Sequence, residues 1–87
     1  MSRVHVLKVL QPYFDDLDRG VKCFEVRFND RGYRVGDHLI LMEFAPPSAY
    51  TGDFAVREVV YILDDPRFCL PGYVVLGLGL AGGGVYV

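Results

Sequence analysis

The sequence predicts a small, mainly β domain of the α+β class, with five or more mostly antiparallel strands and one short N-terminal helix. Three observations point there. Five apolar runs of strand length follow one another at short spacing, separated by Gly, Pro, Asn and Asp. Only one stretch, just after Pro12, repeats apolar residues at helical spacing. The chain has 87 residues, enough for one core and not for two.

The first strand is predicted over Val4 to Leu10, apolar on both faces except for His5 and Lys8, which suggests a central position in the sheet. Pro12 suits the first turn of a helix, Tyr13, Phe14 and Leu17 follow at helical spacing, and Gly20 stands where a helix ends in a left-handed residue. This helix is expected over residues 12 to 19, with Asp15, Asp16 and Asp18 on its solvated face. From Lys22 to Asn29 a strand alternates Phe24, Val26 and Phe28 with Cys23, Glu25 and Arg27, so the apolar set shares one face and the charged pair the other. It reads as a half-buried strand carrying a charged face. Asn29, Asp30 and Gly32 form a turn, and Gly36-Asp37 punctuates again before Leu39 to Phe44. Pro46 and Pro47 forbid a continuing ladder, so residues 45 to 53 are expected as an exposed loop. Phe54 to Leu63 and Tyr73 to about Leu80 complete the strands, and Gly77 and Gly79 leave one face of the last open to close approach. The domain is expected over residues 1 to 80, with 81 to 87, rich in glycine, as a flexible tail.

One stretch resembles a known family. Gly20-Val21-Lys22-Cys23-Phe24-Glu25-Val26-Arg27 is similar to the Gly-x-Lys-x-x-Glu-x-Arg signature of ASCH domains, a superfamily with a PUA-like β-barrel. His5-Val6-Leu7-Lys8, Tyr13-Phe14, Asn29-Asp30-Arg31, Val35-Gly36-Asp37, Tyr50-Thr51-Gly52 and Tyr61-Ile62-Leu63 resemble a small bacterial and phage branch of uncharacterised members. The resemblance implies that the sheet closes into a barrel; the residues alone leave an open sheet with the helix on one face equally open.

Composition narrows the function. With 52% hydrophobic and 23% charged residues the chain is neither disordered nor built around a membrane span. Its start has no apolar run before a small-residue cleavage site, so a cytoplasmic location is expected. The net charge is −2, yet residues 1 to 34 carry seven Lys or Arg against five acids, and residues 35 to 87 carry two against six. No broad basic surface for duplex DNA follows from that balance, whereas a local basic site in the first half does. Cys23 and Cys69 fit neither a redox pair nor a zinc knuckle, and are expected as free thiols. No metal or other cofactor is expected.

The candidate site is Lys22, Glu25 and Arg27. On a regular strand Glu25 and Arg27 share a face, about 7 Å apart, while Lys22 has the opposite parity. The three converge only if Lys22 precedes the ladder or sits at a bulge; otherwise Glu25 and Arg27 are an ion pair on a wet sheet face. The resemblance implies a site at the barrel mouth beside the helix ending at Gly20. Lys8 is a further candidate for the same cleft. Arg31 and Arg34, with Tyr33 between them, form a possible phosphate clasp with a stacking ring, and Tyr50 is either a stacking lid or a loop anchor. His5 reads as a partly buried ring bonded to backbone, with no second metal ligand at a suitable spacing.

Two functions are compatible with these residues. The first is a binding module that accepts RNA or a nucleotide, with Lys and Arg meeting phosphate and aromatic side chains offering stacking faces. The second is a hydrolase acting on a modified nucleoside or RNA, with Lys22 and Glu25 as the catalytic candidates. Some ASCH-like proteins are amidohydrolases with a Lys at the position of Lys22, a Thr at that of Glu25 and a distant Glu. Here Glu25 replaces the hydroxyl residue, and the corresponding linker holds Asp64 and Asp65 but no Glu. The hydrolytic pattern is incomplete, as is any metal site for a nuclease, so binding is the expected role. A protein-interaction domain of a phage or mobile element is a third reading.

Overall fold

A computed structural model describes residues 3–47 and 49–80. The chain forms β1 (Val4–Val9), α1 (Tyr13–Asp18), β2 (Phe24–Phe28), β3 (His38–Ala45), β4 (Ala49–Leu63) and β5 (Tyr73–Leu80). The five strands make one sheet in the order β1-β3-β4-β5-β2. β1 runs parallel to β3, and the other three pairings are antiparallel. The sheet curls into a half-barrel around Leu39, Leu41, Val59, Val74 and Leu76, all fully buried, and Phe14 and Leu17 of α1 close the core.

β1 is an edge strand, not a central one. Its buried residues are His5, Leu7 and Val9, while Val4 and Val6 are 62% and 49% exposed, so the second apolar face looks outward. The chain then crosses through α1 to the opposite edge, β2. Curling brings the two edges together, and side chains bridge them: the Arg27 guanidinium donates to the Lys8 carbonyl at 2.7 Å and Arg31 to the Val6 carbonyl at 3.0 Å. Two guanidiniums thus take outward-facing carbonyls that a sixth strand would otherwise satisfy.

Residues 45 to 53 are not a loop. β3 and β4 form one long hairpin whose ladder breaks where Glu43 alone faces residues 51 to 53 of β4, and resumes with Phe44 opposite Tyr50 and Ala45 opposite Ala49. Pro46 and Pro47 sit in the turn, where neither has a ladder bond to lose. A second bulge, at Val60 of β4, switches parity so that Ile62 packs on the core. The expected tail, 81 to 87, lies outside the described residues.

The charged face of β2 is the inward one. Glu25 is 4% exposed, whereas Phe24, Val26 and Phe28 are 45–53% exposed. Alternation fixes which residues share a face, and the neighbouring strand decides which face is inside. Glu25 pairs with Leu76 and Arg27 with Val74, both core residues of β5, so the charges point in.

Candidate binding site

The inward charges of β2 meet at the gap between the two sheet edges. α1 ends at Gly20, which takes the left-handed φ of 76° expected of it. The Asp16 carbonyl then accepts the amides of both Val21 and Lys22 at 2.9 Å. This fixes Lys22 two residues before the β2 ladder begins, outside the strand's parity. Its ammonium bonds one oxygen of Glu25 at 2.6 Å. The other Glu25 oxygen accepts from Arg27 Nε at 2.9 Å, with Arg27 Nη2 2.8 Å away. Lys22, Glu25 and Arg27 therefore converge, with one carboxylate between two cations.

They line a concavity of about 430 Å³ together with Lys8, Tyr13, Phe24 and the apolar end of β1. Two cations contact one buried carboxylate there, an excess of positive charge in a largely apolar hollow. The Lys22 ammonium lies 4.9 Å from the centre of the Phe24 ring and 5.9 Å from that of Tyr13, within reach of both π faces. Tyr13, on α1, is 54% exposed and lines the hollow. Lys8 is exposed, its ammonium 4.4 Å from the Phe44 ring centre.

The other candidates are placed elsewhere. Arg31 bonds the Val6 carbonyl, and Tyr33 is buried, its ring set edge-on to His5 at 4.9 Å, so it presents no face to a base. Burial pushes the Tyr33 hydroxyl up, outweighing the opposing pull of Arg31 and Arg27. Arg34 is exposed, and its backbone amide bonds Asp37 at 3.0 Å. Tyr50 stands on β4 against Phe44 and does not line the hollow. Asp65 pairs with Arg67 at 2.7 Å, and Asp64 is exposed. Cys23 and Cys69 are free thiols, bonded to the carbonyls of Gly20 and Leu63.

Sequence reasoning missed Asp37. It is 1% exposed and accepts from the Arg3 amide at 3.1 Å, the Arg34 amide at 3.0 Å and His5 Nε2 at 2.9 Å. His5 is thus bonded to a carboxylate rather than to backbone. Burial pushes the Asp37 carboxyl up, but the bonds from His5, Arg34 and Arg3 outweigh it and hold it below its ordinary value. Arg57 was also missed: it is buried on β4 and donates to the Leu17 carbonyl at the end of α1 at 2.9 Å. Neither position had a local signal, because each partner comes from a distant element.

Among the described residues no group of three or more His, Cys, Asp or Glu could hold a metal ion, and no helix is long and apolar enough to cross a membrane.

A small β half-barrel whose edges enclose a charged hollow is the class that fold and site define. Residues 4–78 match the family described as domain of unknown function DUF3850, and the chain belongs to it. It is similar to the "Uncharacterized 12.9 kDa protein in GpA 3'region" of Escherichia phage P2, 34% identical over 76 residues, which cover 87% of this chain and 68% of that protein.

Proposed function

We propose that the hollow between β1 and β2 binds a nucleotide or a short single strand of RNA, as a member of the ASCH-like, PUA-like group would in the cytoplasm. The observation that supports this most is the Lys22–Glu25–Arg27 cluster. A buried carboxylate needs one cation, and here two contact it while Lys8 lines the same wall. The surplus positive charge suits a phosphate, and the exposed rings of Phe24 and Tyr13 suit a base. A volume of about 430 Å³ lies within the range of small-ligand sites.

The hydrolase reading fits less well. Both Glu25 oxygens are taken by cations, which leaves neither directed at a substrate proton. Fluorescence anisotropy with labelled RNA tetramers and hexamers, and calorimetry with nucleoside monophosphates, test the proposal. Binding that weakens at least about tenfold in Lys22→Ala and falls with added salt is expected. No binding of any of these ligands at millimolar concentration refutes it, and turnover abolished by Glu25→Gln with binding intact would favour the hydrolase instead.

A further inference from the structure

The outer face of β2 carries a second feature, which meets the wall of the charged hollow at Phe24 and Val26 and extends beyond them. Phe24, Val26 and Phe28 stand there opposite Gly77, Val75 and Tyr73 of β5. One strand further, Tyr61 lies directly over Gly77, where an added Cβ would come within 3.1 Å of the Tyr61 Cβ. The loop before β5 adds Phe68 and Leu70, 72% and 73% exposed. Together with Cys69 these side chains form a groove of about 330 Å³, lined by Val26, Phe68, Cys69, Leu70, Tyr73 and Val75 and by no charged residue. The nearest charges in sequence, Asp65 and Arg67, pair with each other at 2.7 Å.

An uncharged surface of this extent is not the ordinary scatter of exposed apolar residues. With aromatic side chains of 150–250 Å² each, the exposed parts of Tyr61, Phe28, Phe68 and Tyr73, plus Val26 and Leu70, amount to roughly 650 Å². A standard protein interface takes about 800 Å² from each partner. The groove is lined by no charged residue, and Arg67, 5.3 Å from the Phe68 ring centre, is paired with Asp65, so the groove itself is unsuited to nucleic acid.

We infer that this face is the interface of a homodimer, each copy inserting Phe68 and Leu70 beside the groove of the other. A groove next to protruding apolar side chains is self-complementary, which is what a two-fold interface requires. Because Glu25 and Arg27 point from β2 to the opposite side and Phe24 is outside the groove, dimerisation centred on Phe68 and Leu70 leaves the charged walls of both hollows uncovered.

Sedimentation equilibrium from about 2 to 200 µM tests the inference. The wild type should approach twice the 9.8 kDa chain mass. The double variant Phe68→Ser/Leu70→Ser should dissociate at least about tenfold more readily with an unchanged far-ultraviolet circular dichroism spectrum, since both positions are exposed anchors. Phe54→Ser, an equally apolar change on another part of the sheet, should leave the dimer intact. If the double variant loses the native spectrum, Leu70→Gln alone decides by the same criterion. A wild type that stays monomeric, whether or not it then binds lipid vesicles or another protein, overturns the inference. So does a Phe68 and Leu70 variant that dimerises as tightly as the wild type, or a dimer that Phe54→Ser disrupts to the same degree.

Discussion

Glu25 and Asp37 are both buried carboxylates held by several donors, and they stand in opposite relation to solvent. Asp37 is met by two backbone amides and a buried imidazole, all belonging to the framework that joins β1 to β3, and the Arg3 guanidinium stands farther off at 3.6 Å. Glu25 is met by two side-chain cations whose outer sides line an open hollow. A backbone amide whose one proton is engaged by a buried carboxylate has none to offer a ligand. Mobile cations in excess of the charge they neutralise can also meet a ligand, so burial alone does not distinguish a structural carboxylate from one in a site; the identity of its partners does.

The largest expected effect that could break this contrast is on stability. Asp37→Ala leaves two amides and His5 without their acceptor, and should cost about 3 kcal/mol in urea unfolding. Glu25→Ala should cost less, about 1–2 kcal/mol, because the freed Lys22 and Arg27 can turn to water. Equal losses would erase the distinction. Acid titration sharpens it. The folded Asp37 carboxyl titrates below its ordinary value of 3.8, so the unfolded chain takes up that proton first as pH falls. Its stabilising contribution is complete above about pH 4 and disappears as pH falls through the folded value. The stability gap between wild type and Asp37→Asn should accordingly narrow below pH 4; a gap that widens there would contradict the sign.

The strands and helix were legible because their signals are local. Pro12 and Gly20 bracket α1, and alternation marks β2 and β5. The convergence of Lys22 with Glu25 and Arg27 was legible as a condition, met because the Asp16 carbonyl holds Lys22 ahead of the ladder. What the sequence hid depends on long-range pairing. Which face of β2 points inward is set by its register with Leu76 and Val74. Asp37 looked like turn punctuation because His5 lies 32 residues away. The long hairpin looked like a loop because two prolines mask a ladder that resumes beyond them.

A smaller effect is expected at Gly72, where φ is +81° and an added Cβ would stand 2.6 Å from the Phe28 ring. Gly72→Ala should lower stability by about 1–2 kcal/mol, chiefly through its left-handed backbone, and should leave both carboxylate clusters intact. Smallest of all, Lys22→Ala should change stability by no more than about 1 kcal/mol, since Arg27 still bonds Glu25. A loss as large as that of Asp37→Ala would make Lys22 a structural residue and remove the contrast.

The most direct measurement is an amide and side-chain NMR titration of the wild type with a short single-stranded RNA and, separately, with a nucleoside monophosphate. Saturable shifts at Tyr13, Lys22, Phe24 and Arg27, with His5 and Asp37 unmoved, are the predicted result. Shifts centred on His5 and Asp37, or none around Lys22 with either ligand at millimolar concentration, would contradict the assignment of the Glu25 cluster to binding and return it to the framework alongside Asp37.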